Sequence, residues 1–175
     1  MTTTLIHAGR VLTPTAEIID AGILIRDGVI EDLGLRAGMR APNGTVEISA
    51  TDKVAIPGFV DVHIHGAGGR DVMEGSAEAL AGVTKTVARH GTTSFVATTV
   101  TASPDDTIRS VEGIARYISQ QHETDDARAE VLGIHFEGPF LSRRGAECIR
   151  LSGYNFHQRN CWTNFCKPPR ATLKF

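Results

Sequence analysis

A chain of 175 residues with 18 basic and 20 acidic side chains is nearly neutral, which argues against a nucleic-acid-binding protein dominated by positive charge. Its 41% hydrophobic content is typical of a globular chain that buries about 70% of its unfolded surface. No apolar run approaches the roughly 20 residues of a membrane span, and Met1 opens no secretory signal, so we expect a cytoplasmic protein without nucleic-acid or membrane partners.

The first 56 residues contain short strand-like runs separated by Gly, Pro, Asp and Asn. These runs are Thr4–His7, Gly22–Arg26, Val29–Leu33 and Val46–Ile48. Asp27-Gly28 between two of them predicts a tight hairpin, because glycine accepts the positive φ of such turns. The pattern predicts a small antiparallel β unit.

The residue pattern changes after Pro57-Gly58. A run of mostly apolar residues there predicts a strand covered on both faces, as in a parallel sheet. The elements that follow are a strand at 59–65, a helix from Ser76 to His90, a strand at 93–98, a helix from Ser103, and a strand at 131–137. This β-α-β-α-β order predicts an α/β fold with parallel strands. Three strands are too few to close an eight-stranded barrel, which typically takes about 250 residues.

Two histidines, His63 and His65, stand at the carboxyl end of the first of these strands. Alternate residues of a strand point to the same side, so both imidazoles can hold one divalent metal ion. The carboxyl ends of barrel strands also form the active-site face. The alternative is that both histidines are buried polar groups that hydrogen-bond to the backbone.

Glu137 ends the third strand and could ligate the same metal, since the ends of parallel strands meet at one rim. The alternative for Glu137 is a helix-capping or loop acid. His135 shares the parity of Glu137, and we expect it to be a packed histidine beside the ligands rather than a ligand itself.

Three segments together resemble the N-acetylglucosamine-6-phosphate deacetylases, a family of the amidohydrolase superfamily. They are Pro57-Gly58-Phe59-Val60-Asp61-Val62-His63-Ile64-His65-Gly66, His90-Gly91-Thr92-Thr93-Ser94-Phe95 and Gly133-Ile134-His135-Phe136-Glu137-Gly138-Pro139-Phe140. The resemblance covers roughly residues 5 to 146. The third segment is the most diagnostic, because dihydroorotases and hydantoinases share the histidine pair.

The resemblance implies a β-sandwich portion at 1–56 and the first units of a metal-dependent (β/α)8 barrel at 57–146, followed by a non-matching tail at 147–175. It implies a divalent metal, zinc or iron, held by Glu137, His63 and His65, and sugar contacts at Gly145 and Ala146. The substrate would be N-acetylglucosamine 6-phosphate, a small amino sugar phosphate, which is hydrolysed to glucosamine 6-phosphate and acetate. A homodimer is an open alternative for the full-length parent.

The sequence departs from the family after Ala146, where Glu147 replaces the usual histidine. The family's catalytic aspartate has no counterpart in this chain, so we assign no catalytic residue. Two alternatives stay open: an inactive truncated or frame-shifted product, and another amidohydrolase of the cyclic-amidase type. The three cysteines of the tail, Cys148, Cys161 and Cys166, lack the spacing of a zinc knuckle and form no disulfide framework for the residues before them.

Overall fold

A computed structural model describes residues 2–123 and 127–138 of the chain. The chain divides into two compact units, the first ending at Pro57 and the second beginning at Gly58. Within the described ranges, no helix combines the length and apolar character needed to cross a membrane.

The first unit is a four-stranded sheet. Its strands are β1 (Thr3–Leu12), β2 (Glu17–Arg26), β3 (Val29–Leu35) and β4 (Val46–Ala55), in the order β3-β2-β1-β4. The predicted hairpin is confirmed, because Arg26 pairs with Val29 across Asp27 and Gly28, whose φ angles are 48° and 82°. Small and aliphatic side chains form the core of this unit, with Ala8, Val11, Ala21 and Ile23 at its centre.

The expectation of a purely antiparallel unit is wrong, because β4 pairs parallel to β1. The segment after β3 carries the chain past β2 and β1 to the opposite edge of the sheet, which is the kind of crossover that parallel pairing needs. The strands are also longer than predicted. Gly9 lies inside β1 rather than ending it. The backbone of β4 approaches it so closely that a Cβ on residue 9 would stand 2.3 Å from the carbonyl oxygen of Thr51, which explains why the strand has a glycine here.

The second unit has the predicted β-α-β-α-β order. Its main elements are β5 (Phe59–Ile64), α1 (Ala77–Ala88), β8 (Thr92–Thr99), α2 (Pro104–Gln120) and β9 (Glu130–Phe136), with a short hairpin of β6 (Gly66–Ala67) and β7 (Arg70–Asp71) after β5. All three long strands are parallel, in the order β5-β8-β9. Neighbours in sequence are therefore neighbours in the sheet, as in the first units of a (β/α)8 barrel.

Both helices begin where the sequence predicts. The hydroxyl of Ser76 accepts a hydrogen bond from the backbone N–H of Ala79, and the hydroxyl of Ser103 accepts one from Asp106. Both helices share one core with one face of the sheet. Its largest fully buried members are Phe95, Leu80, Ile114, Val72, Val83 and Val131.

The expectation that the first barrel strand is covered on both faces is wrong for the described residues. Phe59, Val60 and Val62 of β5 are 58%, 57% and 68% exposed. The physical reason is that β5 is an edge strand, and the helices pack on the face that carries Phe95 and Ala97.

Candidate metal centre

The site lies at the carboxyl ends of β5 and β9, the two strands that flank β8 in the sheet. His63 lies in β5, His65 is the first residue after β5, and Glu137 is the first residue after β9. Because β5, β8 and β9 are parallel, their carboxyl ends meet at one edge of the sheet. The structure therefore brings together the three residues that the sequence predicts as ligands.

The three side chains converge through one atom each. The Nε2 atoms of His63 and His65 are 3.3 Å apart, and Oε2 of Glu137 lies 3.3 Å from the first and 3.1 Å from the second. Adjacent ligand atoms of a tetrahedral zinc ion with bonds of about 2.0 Å are themselves about 3.3 Å apart. The spacing of the donor atoms thus fits a metal ion of that size.

A register shift in β5 decides which way the histidines face. Asp61 pairs with Phe95 and Ile64 pairs with Ala97, so β5 has one more residue than β8 between these pairs. Ile64 packs against the helix-side core, and its neighbours His63 and His65 therefore point to the opposite face. The carboxylate of Asp61 accepts a hydrogen bond of 3.0 Å from the backbone N–H of His63 within this irregular stretch.

The backbone contact of His65 indicates which of its two ring nitrogens donates a hydrogen bond. Its Nδ1 lies 3.0 Å from the carbonyl oxygen of Thr98, which can only accept, so Nδ1 carries a proton. A neutral imidazole then has a bare lone pair on Nε2, which faces the carboxylate of Glu137 at 3.1 Å. A metal cation shared by the three donor atoms would accept this lone pair together with those of His63 and Glu137. This pattern, with the second imidazole nitrogen donating to a backbone carbonyl, is that of metal-ligating histidines.

His135 lies beside the three residues without joining them. Its ring centroid is 5.1 Å from that of His63 in an edge-on arrangement, and its Nδ1 is 3.4 Å from the hydroxyl of Thr98. Among the described residues, the group whose donor atoms could hold a metal consists of His63, His65 and Glu137. His135 therefore lies beside the expected ligands, as predicted, but it is exposed rather than packed.

Sequence reasoning missed Thr98. It is fully buried at the end of β8, and both its carbonyl and its hydroxyl contact the strand ends that carry the site. A threonine in a strand gives no chemical signal by itself. Its position on the middle strand, between the ends of β5 and β9, is visible only once the order and register of the strands are known. The predicted sugar contacts Gly145 and Ala146 and the cysteines of the tail lie outside the described residues.

The model of the amidohydrolase family matches residues 54–159, which is more than half of the chain and includes all three residues of the site. The chain belongs to the amidohydrolase family. It is 36% identical over 134 residues to the N-acetylglucosamine-6-phosphate deacetylase of Bacillus subtilis (strain 168), a match that covers 75% of this chain and 33% of that protein.

Two further similar proteins are also deacetylases of N-acetylated sugar phosphates. The N-acetylgalactosamine-6-phosphate deacetylase of Escherichia coli O157:H7 is 30% identical over 143 residues, which cover 80% of this chain and 34% of that protein. A solved mutant of N-acetyl-D-glucosamine-6-phosphate deacetylase from Mycobacterium smegmatis, in complex with N-acetyl-D-glucosamine-6-phosphate, covers 94% of this chain and 40% of its own, with a TM-score of 0.71 and 28% identity. The chain spans about a third of the length of the Bacillus subtilis and Escherichia coli deacetylases.

Proposed function

We propose that this amidohydrolase removes acetate from N-acetylglucosamine 6-phosphate, with a divalent metal ion held by His63, His65 and Glu137. One observation carries the proposal: three donor atoms of suitable chemistry lie 3.1 to 3.3 Å apart at the carboxyl ends of parallel strands. The similarity to deacetylases of N-acetylated sugar phosphates supports the substrate class.

The domain assignment belongs to the same proposal. Residues 1–56 would contribute to a β-sandwich, residues 57–146 to the first units of the barrel, and residues 147–175 would be a tail that does not match the deacetylases. The order β5-β8-β9 supports the second assignment. A cytoplasmic location stays a prediction from the sequence.

The described residues have separable roles in this proposal. Glu137 supplies the negative charge of the site, His65 presents a bare Nε2 because its proton is held on Nδ1, and His63 adds a second nitrogen donor. When bound, a divalent ion of this kind polarises the amide carbonyl of the substrate and activates water as the nucleophile. The proton for the leaving amine would come from the catalytic carboxylate of the family, which the resemblance does not place in this chain.

Metal content tests the ligand assignment. We expect the purified 175-residue chain to bind zinc or iron, and His63→Ala to reduce the bound metal measured by elemental analysis, because one of three donor atoms is removed. His90→Ala is the matched control, since His90 is an exposed histidine that follows α1. Equal metal content in the wild type and His63→Ala would refute the ligand role.

Acetate release tests the reaction. N-acetylglucosamine 6-phosphate and N-acetylgalactosamine 6-phosphate are supplied with zinc, both to the 175-residue chain and to a chimera in which the remainder of the Bacillus subtilis deacetylase follows Gly138. We expect the chimera to release acetate, with faster turnover of the glucosamine derivative. The chain alone should be slower by at least the roughly 10²–10⁴-fold that a missing general acid or base costs.

Substitution of a ligand separates this function from its alternatives. Glu137→Gln in the chimera should abolish turnover, because the amide keeps the shape of the side chain but not its charge. Hydrolysis of dihydroorotate in place of acetate release would favour the cyclic-amidase type. A folded chimera that binds zinc and hydrolyses neither sugar phosphate would contradict the proposed function.

A further inference from the structure

Thr98 occupies the centre of the rim that carries the candidate ligands. It lies on β8, the middle strand of the sheet, and its side chain is completely buried. In register it pairs with His135 of β9, and the preceding residue pairs with Ile64 of β5. Thr98 is thus in a position to contact both strands that hold the site.

The first contact is through the backbone of Thr98. Its carbonyl oxygen accepts the hydrogen bond of 3.0 Å from Nδ1 of His65. This bond fixes the plane of the imidazole ring and directs the bare Nε2 toward Glu137. Such outer hydrogen bonds orient metal ligands and raise their basicity.

The second contact is through the hydroxyl of Thr98. The backbone N–H of Ile64 donates to Oγ1 of Thr98 over 3.2 Å. This bond lies where the regular ladder between β5 and β8 is interrupted, between Asp61 and Ile64. A side-chain oxygen therefore satisfies an amide inside the irregular stretch. Since Ile64 separates His63 from His65, the same bond holds the backbone that carries both histidines.

The third contact extends to β9. Oγ1 of Thr98 lies 3.4 Å from Nδ1 of His135, and the His135 ring meets the His63 ring edge-on with centroids 5.1 Å apart. A hydroxyl has one proton and two lone pairs, so it can accept from Ile64 and still contact His135. One buried side chain thus connects the strand ends on both sides of the site.

We propose that Thr98 is a positioning residue of the metal centre: its hydroxyl holds the irregular end of β5 in the conformation that turns His63 and His65 toward Glu137. This inference rests on the proposed metal-binding function for its consequence, although the contacts themselves exist without metal. Thr98 does not ligate the metal. Its effect is on the direction and separation of the two imidazole nitrogens.

The test compares two substitutions at Thr98 in the full 175-residue chain. Thr98→Val keeps the branched shape and loses the hydroxyl, whereas Thr98→Ser keeps the hydroxyl. Zinc affinity is measured by competition with a chromophoric chelator. We expect Thr98→Val to weaken zinc binding by about 10–100-fold, the usual effect of losing a residue that orients a ligand, and Thr98→Ser to bind within about threefold of the wild type.

A matched control separates positioning from general destabilisation. Thr99→Val removes a hydroxyl from the next residue of β8, which is 2% exposed, and whose Oγ1 donates to the backbone of His135 rather than to β5. It should leave zinc affinity unchanged. The absorption bands of bound cobalt(II) add a spectroscopic signature, which should change in Thr98→Val and return in Thr98→Ser.

Metal-free measurements keep this inference distinct from the proposed function. In the apo chain, amide exchange at Ile64 should accelerate in Thr98→Val, and the imidazole nitrogen shifts of His63 and His65 should change, with both effects reversed in Thr98→Ser. If the wild type binds no zinc but these shifts behave as expected, the metal function fails and the positioning role stands. The positioning role would be overturned if Thr98→Val left the amide exchange of Ile64 and the imidazole shifts unchanged. It would also be overturned if Thr98→Val bound zinc with wild-type affinity. If Thr98→Val does not fold, Thr98→Ala supplies the second hydroxyl-free variant, read by the same criteria.

Discussion

The contact between α2 and the turn before α1 gives the sharpest prediction about stability. A Cβ on Gly113 of α2 would lie 1.9 Å from the carbonyl oxygen of Gly75 and 2.6 Å from its carbonyl carbon. Gly75 itself has a φ of 61° and ends the short 3-10 helix Val72–Glu74. The two backbones therefore touch, and the atoms that a new methyl group would meet cannot rotate away as a side chain can.

Gly113→Ala sets two opposing effects against each other. Alanine favours a helix interior over glycine by about 1 kcal/mol, but overpacking at a rigid contact costs about 1–3 kcal/mol. Relief of the clash requires the backbones to separate by roughly 1 Å, and a gap of that size forfeits up to about half of the dispersion energy of the atoms that line it. Ile114 and Tyr117 of α2 belong to the core that would loosen. Because the clash is with backbone atoms, we place the cost in the upper part of that range, at about 2–3 kcal/mol, and expect a net loss of about 1–2 kcal/mol in the free energy of unfolding.

The same displacement should reach the candidate metal centre. The backbone N–H of Val72 donates to the carbonyl of His65 over 2.8 Å, and the buried hydroxyl of Ser110 in α2 donates to the carbonyl of Val72 over 3.2 Å. A shift of α2 is therefore transmitted to the residue that presents Nε2 to the site. We expect zinc affinity to fall together with stability in Gly113→Ala.

Urea denaturation followed by circular dichroism at 222 nm measures the effect, because both α-helices of the described chain lie in the second unit. Gly82→Ala is the matched control: Gly82 also lies inside a helix, but its Cβ would meet only the flexible side chain of Arg70, at 3.2 Å. It should be neutral or stabilising by up to about 1 kcal/mol. A Gly113→Ala variant as stable as Gly82→Ala would refute the reasoning.

Two further predictions concern the core and the pH dependence of the second unit. Leu80→Ala truncates a fully buried side chain and should lower the free energy of unfolding by about 2–5 kcal/mol in the same denaturation assay. A loss no larger than that of Leu132→Ala, at an exposed leucine, would show that the core is not packed as described. The hydroxyl of Ser103 and the guanidinium of Arg109 lower the pKa of Asp106 below its ordinary value of 3.8. The folded state is therefore favoured by this carboxylate above pH 3.8 and loses that contribution as the pH falls through the lowered pKa. The stability advantage of the wild type over Asp106→Asn should shrink below pH 3.8, and a difference that is constant with pH would contradict this.

Local chemistry explains which parts of the fold could be predicted from the sequence. The Asp27-Gly28 hairpin and the caps Ser76 and Ser103 depend on residues within four positions of one another, so their signals are complete in the local sequence. The parallel order of β5, β8 and β9 follows from the two helices between them. The convergence of His63, His65 and Glu137 then follows from where the strands end.

Contacts between segments distant in sequence explain what could not be predicted. The parallel pairing of β1 with β4 depends on the path of the chain after β3, and the place of Gly9 inside β1 depends on the carbonyl of Thr51, some 40 residues later. The exposure of Val60 and Val62 depends on which face the helices cover and on β5 being an edge strand. None of these partners is encoded in the local pattern.

The direction of the side chains in β5 depends both on the local sequence and on contacts with a distant strand. Strict period-two geometry places His63 and His65 on one side, and their Nε2 atoms are indeed 3.3 Å apart. The same geometry also places them on the side of Asp61, which pairs with Phe95 on the helix face. In the structure the extra residue before Ile64 reverses the faces, so that the apolar Ile64 enters the core and the histidines leave it. The pattern of residues thus determines that the two imidazoles stay together, whereas the register against β8, held at Ile64 by Thr98, determines that they face Glu137.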